Sequence, residues 1–318
     1  MGDHIRRNGK APAIRIGASY ERHNDVTVFS GRCETLLARL RGQQVQLVLT
    51  SPPYNIGKRY GGRVEQVQSL NKYRADQRAV IAACVDRLTP TGSLCWQLGS
   101  LVRNGELIPL DVLLYDLFVD CGLVLRNRII WGFDHGLNAS TRLAGRYETI
   151  LWFSRRGSNH VFNLDAIRVP QKYPGKRHYK GPNRGELSGN PLGKNPGDRW
   201  TEDVWNIPNV KARHVEKTIH PCQFPVGLAE RLILALSNPG DLIFDPYMGV
   251  GSTLVAAYLN GRRSIGAETV SEYRAITRKR LRDAARGTLK TRPMDRKIPE
   301  PVGKVATNYW VDSLATTP

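Results

Sequence analysis

Two short runs of this sequence combine residue types that can do chemistry. In Thr50-Ser51-Pro52-Pro53-Tyr54-Asn55, consecutive prolines fix φ and remove two N–H donors, so their carbonyls can stand outward as acceptors without serving a sheet ladder. Ser51 adds a hydroxyl to this rigid platform, and Tyr54 adds a ring on which a flat base can stack. The second run is Asp245-Pro246-Tyr247-Met248-Gly249-Val250-Gly251-Ser252-Thr253. Its glycines allow a ligand to approach the backbone closely, just ahead of a helix N-terminus. Glu268 lies 23 positions after Asp245 and 17 after Gly251, near the roughly 20-residue offset at which an acid grips ribose hydroxyls.

That second run predicts an adenosine-containing ligand. Leu254 occupies the place where a dinucleotide fingerprint wants a third glycine. A carboxylate at the strand tip would also repel a pyrophosphate but welcome a cationic, amine-bearing cofactor. S-adenosyl-L-methionine therefore fits better than a nicotinamide dinucleotide. His214 and His220 are six apart with no third ligand nearby, so no metal site is expected.

These runs need elements to hold them. Val26 to Phe29 reads as a strand, Leu36, Leu37 and Leu40 as one helix face, and Val45 to Leu49 as a strand covered on both sides. Ile81, Cys84, Val85 and Leu88 recur at helical spacing, with Pro90-Thr91-Gly92 expected to stop that helix before a strand at Ser93 to Leu98. Leu110, Leu113, Leu114 and Leu117 mark another helix, followed by strands at Leu123 to Trp131 and Glu148 to Arg155. Further on come a helix about Ala229 to Leu236, a strand at Leu242 to Phe244, a helix at Ser252 to Leu259, a strand at Ser264 to Ala267 and a helix at Tyr273 to Leu281. The alternation predicts an α/β fold with a mostly parallel, doubly wound sheet. Between the two blocks, residues 171–200 hold ten Gly or Pro and seven Lys or Arg against two acids. That composition suits a segment following a phosphate backbone.

The 318 residues carry 47 Lys plus Arg against 28 Asp plus Glu, a net charge of +19. Such an excess points to a polyanionic partner, nucleic acid first. A hydrophobic fraction of 41% excludes a wholly disordered basic protein. No run of about 18 apolar residues occurs, and the five cysteines are scattered without a C-x-x-C pair. A cytoplasmic protein with reduced thiols and no membrane partner is expected.

Thr50 to Tyr54, His220-Pro221-Cys222-Gln223-Phe224-Pro225 and the Asp245 to Thr253 loop, in this order, resemble the amino-methylating DNA methyltransferases of the beta group. The resemblance covers roughly Val26 to Leu281. It implies a Rossmann-like methyltransferase sheet in circularly permuted order, with a loop-rich recognition insert. It implies S-adenosyl-L-methionine as cofactor and double-stranded DNA as partner, in a prokaryotic or phage-encoded setting. In that family Ser-Pro-Pro-Tyr mostly accompanies cytosine-N4 methylation and Asp-Pro-Pro-Tyr adenine-N6 methylation, so N4 is expected and N6 is the alternative. An RNA methyltransferase and a non-enzymatic basic nucleic-acid-binding protein are the more distant rivals.

By the same resemblance Ser51, Pro52, Pro53 and Tyr54 are catalytic. Gln223, Phe224 and Pro225 line the methionine end of the cofactor, Asp245 its amino group, and Pro246, Tyr247, Gly249, Gly251, Ser252 and Thr253 its backbone cradle. Glu268 takes the ribose, and Trp152 or Phe153 supplies a second wall for the flipped base. Lys172, Lys176, Arg177, Lys180, Arg184, Lys194 and Arg199 contact DNA. The chain departs from the family at Arg32, where an acid is usual after Gly31, and at Thr269-Val270. Pro221-Cys222-Gln223 looks like the nucleophile motif of cytosine-C5 enzymes, but precedes the glycine loop; Cys222 is read as a small packed residue. The expected organisation is a basic arm over 1–24, a catalytic half over 25–133, a recognition region over 134–217 that includes the core strand 148–155, a cofactor half over 218–285 and a basic tail over 286–318. A companion restriction endonuclease acting on the same site, which need not be bound, is compatible with the resemblance, and monomer and homodimer both fit.

Overall fold

The run Val45–Thr50 is buried along its whole length, as a strand sandwiched between helices must be. The computed structural model describes residues 13–133, 139–171, 173, 175–188, 190, 192–196, 205–211 and 214–292. In chain order the elements are β1 Ile16–Gly17, β2 Val26–Ser30, α1 Cys33–Arg39, β3 Val45–Thr50, β4 Arg59–Tyr60, β5 Arg63–Val64, α2 Leu70–Arg87 and β6 Leu88–Leu98. There follow β7 Ser100–Arg103, β8 Glu106–Pro109, α3 Leu110–Asp120, β9 Leu123–Gly132, β10 Tyr147–Arg155 and a 3-10 turn at Leu164–Ile167. The last are α4 Val226–Leu236, β11 Leu242–Asp245, α5 Ser252–Leu259, β12 Arg263–Glu268 and α6 Ser271–Ala285.

One eight-stranded sheet runs in the order β1-β2-β12-β11-β3-β6-β10-β9. Neighbours from β1 to β6 are parallel, and β10 alone runs against its two neighbours β6 and β9. Successive β3 side chains point to opposite faces. Val48 joins α1, α2 and α3 through Leu36, Ile81 and Leu114. Leu47 and Leu49 join α4, α5 and α6 through Leu232, Val255 and Leu281. Leu47 is fully buried, and cutting such a side chain to Ala costs about 2–5 kcal/mol.

From β3 the chain crosses through α2 to β6 on one side; from β11 it crosses through α5 to β12 on the other. The strand order therefore reverses between β3 and β11, where an open α/β sheet leaves a crevice at its carboxyl edge. Both chemically suggestive runs leave the sheet there.

Pro90-Thr91-Gly92 does not precede the strand as expected but lies inside it. Val45 pairs with Leu88 and Leu47 with Ser93, so four residues of β6 bulge out opposite one of β3. Gln46 satisfies the bulge: its Nε2 donates to the Thr91 carbonyl at 3.1 Å, and its Oε1 accepts from Thr89 Oγ1 at 2.8 Å and Thr91 Oγ1 at 3.2 Å. A proline is tolerated because the bulge requires no ladder donor. The insert has little regular structure among its described residues: isolated bridges join Val169 to Lys194 and Arg177 to Leu187. Its return is tied to β9, with Trp131 Nε1 donating to the Ile207 carbonyl at 2.6 Å and Gly132 N–H to the Trp205 carbonyl at 3.1 Å.

Candidate active site

A cavity of about 400 Å³ opens at the switch point, lined by Ser51, Pro52, Pro53 and Tyr54 after β3, and by Pro246, Tyr247, Gly249 and Glu268 after β11 and β12. The two loops are locked to each other from below. Thr50 Oγ1 donates to Asp245 Oδ1 at 2.6 Å, and the Tyr247 N–H donates to the same oxygen at 3.1 Å. Asp245 is buried and does not line the cavity, and its Oδ2 has no hydrogen-bond partner among the described residues. Burial pushes this carboxyl up to about 6, against the Thr50 hydroxyl that holds it down.

The glycine turn is braced from α6, where Thr277 Oγ1 donates to the Gly249 carbonyl at 3.2 Å and Arg280 to the Val250 carbonyl at 2.7 Å. Gly251 sits at φ +77°, and a Cβ there would come within 2.5 Å of Thr277 Cγ2; glycine is required for both conformation and space. Ser252 Oγ donates to the Phe224 carbonyl at 2.8 Å, so Ser252 supports the neighbouring loop from outside the cavity. Gly251, Thr253, Gln223, Phe224 and Pro225 are likewise not part of the lining. Gln223 is buried between the Glu216 carbonyl and Thr218 Oγ1.

The proline platform is half used by the protein itself. Tyr73 Oη donates to the Pro53 carbonyl at 2.9 Å, whereas no donor among the described residues occupies the Pro52 carbonyl. Asn55 turns the chain at φ +59°, pairing its side chain with the Gln68 backbone at 2.7 and 2.9 Å. Glu65 accepts from the N–H groups of Asn55 and Ile56 at 3.1 Å each. Above the cavity the β4–β5 hairpin reaches α6, with the Gly61 N–H donating to Tyr273 Oη at 3.0 Å. The His220 ring lies between Tyr273 and Tyr60, at 4.7 and 5.7 Å.

Trp152 and Phe153 are not at the cavity. Trp152 stacks on Phe162 and bonds Ser93 Oγ at 3.0 Å; Phe153 stacks on Phe118 at 4.6 Å. The cause is register: β10 runs against β6, pairing Trp152 with Cys95 and Phe153 with Leu94 deep in the sheet, while its first residues reach the edge where the cavity opens. There Glu148 stands beside Tyr54 and Gln97, a residue the sequence reading missed. Cys222 is not packed away either; it is exposed and lines the cavity. Of the basic insert residues, Lys176, Arg177 and Lys194 line a separate recess of about 290 Å³ with Tyr173, His178 and Tyr179. Lys180 and Arg184 lie outside that lining, and Lys172 and Arg199 fall outside the described residues.

The cavity's charge comes from the expected Glu268 and from three acids that the sequence reading missed. Glu34, Glu65, Asp76 and Glu268 face it against one guanidinium, Arg32. Arg32 pairs with Glu34 at 2.6 Å. Although burial works the other way, Arg32 holds the Glu34 carboxyl below its ordinary value. Glu34, three positions after Gly31, thus brings an acid to the cavity wall. Burial, then Lys217, pushes His220 down to about 4, so it is neutral at pH 7. Tyr73 and Gln77 were legible in principle, because they extend the stripe of Val80, Ile81, Cys84 and Val85 along α2 toward its N-terminus.

A chain of net charge +19 therefore holds an acidic, aromatic-walled cavity. Such a lining opposes a pyrophosphate and suits a cationic ligand. The residues fit S-adenosyl-L-methionine.

Comparison with known proteins agrees. The DNA methylase family (N6/N4 methyltransferases) matches residues 45–279. The type II methyltransferase M.BglII of Bacillus subtilis is 43% identical over 259 residues, covering 81% of this chain and 69% of its own. The DNA adenine methyltransferase YhdJ of Escherichia coli is 32% identical over 257 residues, 80% of this chain and 82% of its own. The fold is shared with the PvuII DNA methyltransferase, described as cytosine-N4-specific, at a TM-score of 0.59 and 19% identity over 85% of this chain and 94% of that one. Strand order, the two loops meeting at the switch point and the sequence matches agree: the chain belongs to the N6/N4 DNA methylase family, whose methyl donor is S-adenosyl-L-methionine.

Proposed function

We propose that the chain transfers a methyl group from S-adenosyl-L-methionine to the exocyclic N4 of a cytosine flipped out of duplex DNA at a specific site. The observation that carries the choice of base is Ser51, a hydroxyl rather than a carboxylate at the tip of β3, lining the cavity next to Tyr54. Adenine-N6 is the second reading, favoured by the 32% identity to YhdJ.

An exocyclic amine conjugated to its ring is a poor nucleophile. Its N–H groups donate to Ser51 Oγ and the Pro52 carbonyl, which turns the nitrogen lone pair toward the methyl group; no covalent enzyme intermediate is needed. When bound, the cofactor supplies the electrophilic methyl. Glu268 and the backbone of Pro246, Tyr247 and Gly249 hold it, while Asp245, Gln223, Phe224 and Pro225 position that backbone from behind. Tyr54 stacks on the extruded base, because duplex stacking buries the amine. The 134–217 region reads the site, with Lys172, Lys176, Arg177, Lys180, Arg184, Lys194 and Arg199 on phosphates. A companion restriction endonuclease acts on the same sequence.

The test is incubation with labelled cofactor and mixed genomic DNA, digestion to nucleosides and mass spectrometry. N4-methylcytosine is expected; N6-methyladenine would transfer the reading to the second base. Ser51→Ala should lower turnover about 100-fold or more with DNA affinity within twofold of the parent. Equal turnover would remove Ser51 from the reaction.

A further inference from the structure

The Tyr54 hydroxyl stands at a junction whose hydrogens can be assigned by elimination. Gln97 Nε2, a donor only, reaches it at 2.8 Å and also reaches Glu148 Oε2. Tyr54 Oη donates to Glu148 Oε2 at 3.4 Å and lies 3.4 Å from Ser51 Oγ. A carboxylate only accepts, so the single phenol proton goes to Glu148. Ser51 must then donate to Tyr54. Its one proton is committed, and its lone pairs are left for a donor in the cavity.

We propose that Glu148 is the positioning residue that makes Ser51 an acceptor, and the group that finally takes the proton lost from the substrate amine. This rests on the reading that Ser51 accepts from that amine. As the nitrogen–carbon bond forms, the carbon–sulfur bond breaks with its electron pair staying on sulfur, and the nitrogen is left with one proton too many. That proton passes to Ser51 Oγ, Ser51 gives its own to Tyr54, and Tyr54 gives its own to Glu148 Oε2. The carboxylate ends as the neutral acid and returns the proton to solvent before the next turnover.

The surroundings support this assignment. Glu148 is the second residue of the reversed strand β10 and so reaches the same sheet edge as Ser51. Gly99 makes room: a Cβ there would stand 2.8 Å from Tyr54 Cε2 and 3.1 Å from Glu148 Oε1. Burial, only partly offset by Gln97, then Lys211 and Tyr54, raises the Glu148 carboxyl toward working pH, where a general base is most effective. Burial, and then Glu148, keeps the Tyr54 phenol protonated and hence a donor. The other titratable neighbours are Lys211 and Cys222, whose thiol also stays neutral.

The experiment is single-turnover methylation from pH 4.5 to 9, on saturating DNA and cofactor. In the parent the rate falls as pH drops through the Glu148 ionisation. Glu148→Gln should lose about 100-fold together with that acid limb. Tyr54→Phe, which keeps the stacking ring, should do the same, and the double variant should be no slower than either because the residues act as a unit. Cofactor and DNA dissociation constants from calorimetry should stay within twofold. In infrared difference spectra of the cofactor-free parent against Glu148→Gln, in which the bands of Asp245 and the other buried carboxyls cancel, a protonated-carboxyl band should titrate with the same midpoint. Tyr54→Phe with parental rate and pH profile, or Glu148→Gln with its acid limb intact, overturns the proposal. If Ser51→Ala is inactive in either case, the Ser51 reading survives; an active Ser51→Ala removes both.

Discussion

Asp245 looks at first like a ligand-binding acid, yet it acts as the strut between two loops, and its burial sets a measurable pH signature. Its folded ionisation, raised to about 6, lies above the ordinary aspartate value near 4. The folded state thus binds a proton more readily than the unfolded chain. The resulting stabilisation is complete below the ordinary value and is lost as pH rises through about 6. Asp245→Asn lacks this dependence, so its unfolding free energy relative to the parent should increase between pH 4 and pH 8 in urea titrations. A constant difference would mean that the carboxyl titrates normally. Glu148 and Glu268, also raised by burial first of all, drift the same way in both proteins and cancel.

At the scale of elements, the β4–β5 hairpin is the piece most exposed to experiment. Its strands are two residues each, and its Tyr60 and Gly61 touch the rest of the molecule at His220 and Tyr273. So small a hairpin has little stability of its own, and its seat over the cavity depends on such contacts. Tyr273→Phe removes the acceptor for the Gly61 N–H. Cofactor affinity should fall about tenfold, the value of one hydrogen bond near 1.4 kcal/mol, while the thermal midpoint moves by less than about 2 °C. Unchanged affinity in calorimetry would show that the hairpin does not cover bound cofactor. Such a hairpin was not legible beforehand: Arg59, Tyr60, Arg63 and Val64 carry no alternation long enough to read. The bulge in β6 was also invisible, because its acceptor and donor come from Gln46 on another strand.

Across the whole molecule, positive charge and the acidic cavity are segregated. Four acids face the cavity, while Lys176, Arg177 and Lys194 of the insert line a second recess. The first arrangement selects a cationic cofactor, and the second suits a polyanion held by counterion release. Replacing both Lys180 and Lys194 by Ala should flatten the slope of log affinity for duplex DNA against log salt by about two, with cofactor affinity unchanged. An unaltered slope would place the phosphate contacts elsewhere. No helix among the described residues is long and apolar enough to cross a membrane.

Most elements, their alternation and the two loops at the switch point were legible from the sequence alone. Apolar periodicity, turn residues and glycine runs act over a few positions, and a strand such as Val45–Thr50 declares its own burial. The tertiary structure decided what meets what. Tyr54 and Glu148 are 94 positions apart, and only the order β3-β6-β10 and the register of a reversed strand bring them together. The same register carries Trp152 and Phe153 away from the cavity. Strand composition does not encode depth along the strand, and a slip of one residue would turn every side chain to the other face. The pairing of distant strands is settled by packing across the whole sheet, which no local segment contains.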